Sequence, residues 1–171
     1  TTSFTGGTYN DYDFWFGSSS VLFKLDTSVD KRATPVVSYF QPCKLESEEN
    51  QSTNRITDMV YNSGQLYLAG EWSNGLRPLA HNQEAQQRRF SARKSDGSFS
   101  TDIWTSILNA SDLKHQKWQL FSSAGDDFVC GLTVDTDGVY LAGSAGGGMS
   151  YSDFTGNGVN VGGSSASHLF W

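Results

Sequence analysis

Gly125-Asp126-Asp127-Phe128-Val129-Cys130-Gly131-Leu132-Thr133-Val134-Asp135-Thr136-Asp137-Gly138-Val139-Tyr140-Leu141-Ala142-Gly143 is the stretch whose reading decides the fold. Its two apolar runs, 128–134 and 139–142, flank Asp135-Thr136-Asp137-Gly138, and an Asp-Gly step between apolar runs signals a hairpin turn. The same pattern lies upstream. Tyr67-Leu68-Ala69-Gly70 matches Tyr140-Leu141-Ala142-Gly143 residue for residue at a spacing of 73. The register runs back without a gap to Ile56 opposite Val129, with Met59 opposite Leu132 and Tyr61 opposite Val134. Gly138 aligns with Gln65 and not with Gly64, so the two turns are expected to differ by one residue in geometry.

Outward from these hairpins, residues 21–26, 34–40, 90–94 and 101–108 read as strands, with Pro35 near the start of its strand, where a missing N–H is tolerated. The acidic stretch 43–54 has no apolar period and is expected as an exposed loop. Residues 71–87 and 144–163 read as long polar or Gly-rich connections, and 109–117 as a single helical turn capped by Asn109 or Ser111. Residues 21–24 resemble 90–93 at a spacing of 69, 4–6 resemble 154–156 at 150, and 18–23 resemble 165–170 at 147, close to twice 73. The chain is thus about two repeats plus an overlap.

Each unit offers about four strands: two hairpin arms, a strand at 21–24 or 90–93, and a strand carrying Val36-Val37 or Ile103-Trp104. Four short strands per repeat is the make-up of a propeller blade, which needs only ~40–50 residues, so the excess must lie in loops. The expected fold is all-β and β-propeller-like: about two four-stranded antiparallel blades with long loops, part of a larger or oligomeric assembly. Residues 1–33 would end a preceding blade, 34–94 form the first repeat, and 95–171 form the second and run into the next. Stretch 128–134 is apolar at nearly every position, as expected of an inner strand covered on both faces. About two blades cannot close a ring of ~4–8. Further blades in the same chain, or identical subunits, are therefore the expected partners, and a ring or a filament the expected assembly.

Trp118, then Gly125-Asp126-Asp127, Thr133-Val134-Asp135 with Gly138, and Tyr140-Leu141-Ala142-Gly143 together resemble the SBBP β-propeller repeat. Leu22-Phe23-Lys24-Leu25-Asp26 resembles that family's Phe-x-x-Lys-Leu-Asp strand. The likeness is good over 118–143, fair at 21–26 and weak over 43–55, about half the chain in all. It implies an extracellular or cell-surface propeller with no inherited catalytic residues, and it gives Asp126-Asp127 a structural place.

A net charge of −6, with a pI near 4.9, argues against nucleic acid or an anionic membrane as partner. The basic spot at Arg88-Arg89 with Arg93-Lys94 reads as a solvated strand edge. No apolar run approaches the ~20 residues that span a bilayer, and the polar start Thr1-Thr2-Ser3 is no signal peptide, so a mature or excised segment is expected. Cys43 and Cys130 either form one bridge or stay reduced, a buried free thiol being the alternative. His81, His115 and His168 lack metal-ligand spacing, and Ser18 to Ser20 and Ser164 to Ser167 lack a nucleophile elbow. No cofactor or metal is expected. Asp126 and Asp127, as neighbours on a strand, would point to opposite faces and so share no acid/base role. Asp135 and Asp137 read as turn residues in preference to calcium ligands, and the Gly-rich stretch Ala145 to Gly148 opens no helix that could cradle phosphate. Asn50-Gln51-Ser52 and Asn109-Ala110-Ser111 are glycosylation sequons. The sequence thus points to a non-enzymatic extracellular structural or adhesive protein. A carbohydrate-binding or polysaccharide-processing propeller is the alternative, with Trp15, Trp72 and Tyr151 as stacking surfaces and glycans as partners.

Overall fold

The computed structural model describes residues 53–78 and 89–152, with side chains over 53–75 and 90–151. It also describes strand backbone at 7–9, 12–14, 18–19, 22–25, 36–40, 43–44, 158–161 and 168–170, and the side chain of Leu22. In chain order the strands are β1 (Gly7–Tyr9), β2 (Tyr12–Phe14), β3 (Ser18–Ser19), β4 (Leu22–Leu25), β5 (Val36–Phe40), β6 (Cys43–Lys44), β7 (Thr53–Asn62), β8 (Gln65–Ser73) and β9 (Gly75–Pro78). They continue as β10 (Arg89–Phe90), β11 (Thr101–Asn109), β12 (His115–Ser122), β13 (Phe128–Val134), β14 (Val139–Ala145), β15 (Met149–Ser152), β16 (Gly158–Val161) and β17 (His168–Phe170). The fold is all-β and its sheets are antiparallel, save for the short parallel pairing of β3 with β7. Among the described residues the sheets do not close into a barrel or a propeller ring.

Three layers organise the molecule. The middle one is a seven-stranded sheet in the order β16-β15-β12-β11-β8-β7-β3; one face meets the sheet β13-β14-β17, and the other receives Leu22 of the β4-β5 pair. The face toward β4 buries Leu68, Trp72, Trp104, Leu108, Trp118 and Leu120. The opposite face buries Ala69 and Ile103 against Val129, Leu132 and Leu141 of β13 and β14. Alternation along β8 and β11 sends successive residues to opposite cores, which is why Ile103 and Trp104, neighbours in sequence, both lie at 0% exposure in different clusters.

The repeat spacing of 73 holds in the strand pairing. Ile56 pairs with Gly70, Asp58 with Ala69, Met59 with Leu68 and Tyr61 with Leu66. The second hairpin pairs Val129 with Gly143, Gly131 with Ala142, Leu132 with Leu141 and Val134 with Val139. Even the bulge recurs, Thr57 and Cys130 being the extra residues at equivalent points. The turns match in length and differ in closure. In the first, Ser63 (φ 49°) and Gly64 (φ 82°) both take the left-handed conformation that a two-residue hairpin favours. In the second, Asp135 Oδ1 accepts the N–H groups of Asp137 (2.7 Å) and Gly138 (3.0 Å), so a side chain shapes the turn and no left-handed residue is needed.

Several sequence expectations are corrected. Glu71 and Trp72 belong to β8, not to a loop, and Asn54 begins the buried part of β7. The chain leaves the large sheet only at Asn74 (φ 65°). The expected strand 90–94 reduces to Arg89–Phe90 in the small sheet β10-β9-β6 plus an isolated bridge between Arg93 and Phe99. β11 takes the place beside β8 because it brings Ile103, Trp104 and Leu108 into the two cores, whereas Phe90 remains half exposed. The turn after Asn109 makes one helix-like bond, from Leu113 N–H to the Asn109 carbonyl at 2.8 Å, and Leu113 (φ 57°) stops it there. Nor is β13 covered on both faces: its residues alternate between buried and exposed, because it is an edge strand of the outer layer.

Gly70, the last residue of the first Tyr-Leu-Ala-Gly, has no room for a side chain. The Trp104 indole sits against Gly70, and a Cβ there would collide with that ring and with the Arg55 carbonyl oxygen. Gly70→Ala is therefore expected to lower stability by about 1–3 kcal/mol through overpacking. Urea denaturation should show the loss, while Gly64→Ala, at an open turn, should cost only about 1 kcal/mol through its left-handed φ.

Candidate functional site

Polar groups concentrate where the β12–β13 connection, the β14–β15 connection and the 91–100 loop converge. The strand run Thr101-Asp102-Ile103-Trp104 carries Asp102 fully inside, where its carboxylate accepts Ser100 Oγ–H (2.7 Å), the Ala92 N–H (2.9 Å) and the Ser122 side chain. Asp127 is equally buried and accepts Ser123 Oγ–H (2.5 Å) and the Gly146 N–H (2.9 Å) through Oδ1, while its Oδ2 has no hydrogen-bond partner. Gly125 and Gly146 let the two connections touch backbone to backbone, since a Cβ on either would strike the other. Asp126 points away, taking Lys94 Nζ (2.8 Å) and the Thr101 N–H (2.9 Å). The pair thus diverges as expected, from a connection and not from a strand.

Burial pushes the Asp102 carboxyl up to about 6, against the pull of its hydrogen bonds from Ser100, Ser122 and Ala92, and the nearby Asp127 charge adds to the rise. Burial likewise raises Asp127, opposed by Ser123 and Gly146. For Asp126 burial also pushes upward, but the Lys94 and Thr101 hydrogen bonds and the Lys94 charge win, and its carboxyl lies below the ordinary value. Asp102 and Asp127 are both fully buried, and their hydrogen bonds tie the three segments together.

A second polar device joins the layers. Asp58 Oδ2 accepts the Leu132 N–H at 2.8 Å, and Glu71 Oε1 accepts the Val129 N–H at 2.9 Å. Both donors are on the edge of β13 that faces the middle sheet. The other Glu71 oxygen takes Arg55 Nε at 2.9 Å, so this buried charge is paired.

Of the residues singled out from the sequence, Trp72 is 1% exposed inside the tryptophan-rich core, which removes it as a sugar platform. Tyr151 packs against Phe121 with ring centroids 6.2 Å apart, and Trp15 lies outside the described residues. Cys130 is a free, exposed thiol on the β13 bulge, so the bridge to Cys43 is not made and the thiol is not buried; the Cys43 side chain lies outside the described residues. Asn109 Oδ1 accepts Ser111 N–H (2.8 Å) and Oγ–H (2.7 Å) within its own sequon, and Asn50 lies outside the described residues. The His115 ring is tilted against Trp118, with ring centroids 5.5 Å apart; His81 and the His168 side chain are outside the described residues. Arg93 lies over the Phe99 ring at 4.1 Å and donates to the Gly97 carbonyl, which with the Lys94–Asp126 pair consumes the described part of the basic spot. Among the described residues no three His, Cys, Asp or Glu side chains gather to hold a metal.

Asp58, Glu71 and Asp102 are absent from the sequence reading. The available signal is a carboxylate inside an otherwise apolar or β-branched strand run, a placement that strands disfavour unless the charge has a partner. A cleft of about 230 Å³ opens where the β13–β14 hairpin parts from the middle sheet, between Tyr67, Thr105, Lys117 and Gln119 on one side and Leu132 and Val139 on the other. No family model, curated protein or solved structure matches the chain.

Two outcomes follow from the polar geometry. A carboxyl raised on folding makes the folded state hold its proton more tightly than the unfolded chain; that stability is complete below the ordinary 3.8 and is lost as pH rises through about 6. For Asp102 the difference corresponds to on the order of 3 kcal/mol. The thermal midpoint should rise between about pH 7 and about pH 5, and Asp102→Asn should remove most of that rise. At lower pH the depressed Asp126 works in the opposite sense, its stability being lost as it protonates. In the interlayer joint, Glu71→Gln keeps an acceptor for Val129, whereas Glu71→Ala strands a buried N–H at an extra cost of about 1–3 kcal/mol. Urea denaturation, with hydrogen exchange at the Val129 amide, separates the two variants.

Proposed function

We propose that this chain is a non-enzymatic structural repeat segment of β-propeller type that works outside the cell or at its surface, stacking with further units in adhesion or in a filament. The observation that carries the reading is the layering: two hairpins equivalent at a spacing of 73, bulge included, occupy successive layers in face-to-face contact. Consecutive blades of a propeller stack in this way, and so do the units of an open solenoid. The β4-β5 pair, reaching the other face through Leu22, supplies part of a layer before the first hairpin. Kinship with SBBP repeats belongs to the same proposal and rests on the Gly-Asp-Asp and Tyr-Leu-Ala-Gly elements.

Within this reading the buried carboxylates are architectural. Each bonds backbone or a short hydroxyl side chain, as a load-carrying all-β unit requires. Native material fractionated from its source should carry the protein at the surface or in the medium, in species far above the 18.7 kDa of this segment. Recovery as an intracellular monomer of that mass would overturn the proposal.

A further inference from the structure

The cleft between the β13–β14 hairpin and the middle sheet gathers polar side chains that the fold itself does not use. β13 lies over β7 and β8, where Leu132 joins the core that holds Ala69, and the gap opens beside it over β11 and β12. Alternation along the strands turns Tyr67, Thr105, Ile107, Lys117 and Gln119 toward this gap. They stand in two rows: Thr105 pairs with Gln119, and Ile107 lies between Tyr67 and Lys117. Partners in a row are roughly 5 Å apart, and the rows are separated by about 7 Å along the strands. Leu132 and Val139 form the opposite wall, with Val139 at 47% exposure. Tyr67 is fixed by a relay, its hydroxyl donating to Gln65 Oε1 (2.6 Å) while Gln65 Nε2 donates to Gln116 Oε1 (2.8 Å). Thr105 and Gln119 are half-buried and Lys117 is exposed, and among the described residues none of these three side chains makes a hydrogen bond or an ion pair. No carboxylate lines the cleft among the described residues.

We propose that this cleft binds one acidic sugar ring, a uronic acid either free or as a residue of a glycan, with Lys117 on its carboxylate and Thr105 and Gln119 on its hydroxyls. Size limits the ligand first: at about 230 Å³ the cleft is smaller than the ~300–1,000 Å³ of sites for drug-sized ligands, and it suits a single ring. Chemistry limits it next. The three unengaged side chains offer an ammonium, an amide and a hydroxyl, donors and acceptors spread over two rows as the substituents are spread around a pyranose. Ile107, Leu132, Val139 and the Tyr67 ring supply the apolar surface that the C–H face of such a ring covers. Charge then separates an acidic sugar from a neutral one. The chain carries a net charge of −6, yet Lys117 is the one charged side chain lining the cleft among the described residues, and a ligand carboxylate completes it with a charge-assisted hydrogen bond. The site lies within one chain and uses none of the aromatic platforms expected from the sequence, so it stands or falls independently of the stacking proposed above.

Titration of the full, isotope-labelled chain with methyl β-D-glucuronide, methyl β-D-glucoside and cyclohexanecarboxylate, followed by amide NMR, tests the site. The glucuronide should bind with a Kd of about 1 mM, which is what a ligand of this size reaches. Its shifts should centre on Thr105, Ile107, Lys117 and Gln119, and the other two probes should bind more weakly. Lys117→Met should weaken the glucuronide by about tenfold, to the level of the glucoside, and leave the glucoside unchanged. Gln119→Ala should weaken both sugars alike. Lys114→Met, which removes the same charge outside the cleft, should change neither. Thermal melting of each variant identifies one that has failed to fold, and Lys117→Gln then replaces Lys117→Met. A glucuronate-containing hexasaccharide that binds more tightly than the single ring marks a glycan as the source; equal affinity marks the free acid. Absence of binding at tens of millimolar overturns the proposal. So do shifts centred elsewhere, glucuronide binding that survives Lys117→Met, and cyclohexanecarboxylate binding as tight as that of the sugar.

Discussion

The joint between the layers depends on what happens to two amide protons. Val129 and Leu132 turn their N–H groups toward the face of the middle sheet, a surface whose own backbone bonds are already spent within the sheet. An edge strand pressed there without acceptors would bury unpaired donors, at a cost comparable to the apolar contact it gains. Glu71 and Asp58 supply the acceptors from side chains, and Arg55 keeps the deeper charge paired. The bulge makes this possible. Residues three apart on a regular strand point to opposite sides, but the extra residue Cys130 brings Val129 and Leu132 onto the same edge and the same face. The same edge, left open, would be a template for pairing with other chains, so the two carboxylates also protect it.

How much of this was legible follows from the range of each interaction. Hairpin register was readable because apolar alternation and turn residues are local, and the spacing of 73 survives in the pairing down to the bulge that no residue type announces. The place of β11 was not readable. Residues 90–94 and 101–108 both resemble strands, and the choice between them is made by two cores at once, which draw in Ile103, Trp104 and Leu108 and leave Phe90 at the surface. Glu71, Asp58 and Asp102 were hidden for a similar reason. Their partners lie 58, 74 and 10 residues away, so a carboxylate that the fold needs looks the same in sequence as a polar residue in a loop. Trp72 was misjudged as a sugar platform because it follows the recognisable hairpin, although β8 continues past Gly70 and carries it inward.

Asp102 and Asp127 raise the question of why this fold would bury two acids. Desolvation is the largest influence on both, and it is unfavourable to the charged forms. Their bonds reach Ala92, Ser100, Ser123 and Gly146, the segments that leave and re-enter the sheets. Loops crossing at Gly125 and Gly146 come too close for apolar side chains to fill the gap, and a short carboxylate that accepts several donors is the compact alternative. Asn54 stands at the repeat position of Asp127, is also buried, and binds the Trp104 indole N–H at 2.8 Å. A polar residue at this position closes the start of each hairpin, neutral in one layer and acidic in the next.

The repeat is therefore conserved in geometry and graded in chemistry. Inside the chain the layer contact combines apolar burial with two carboxylate-held amides; at the outer face of β13 and β14 the geometry persists, but Gly131 and Ser144 have replaced both acceptors. Burial alone scales with area and is not directional, whereas an amide caught by a fixed carboxylate sets register. The carboxylate-held joint is thus made once among the described residues, between the two hairpins, and its register is fixed by Asp58 and Glu71.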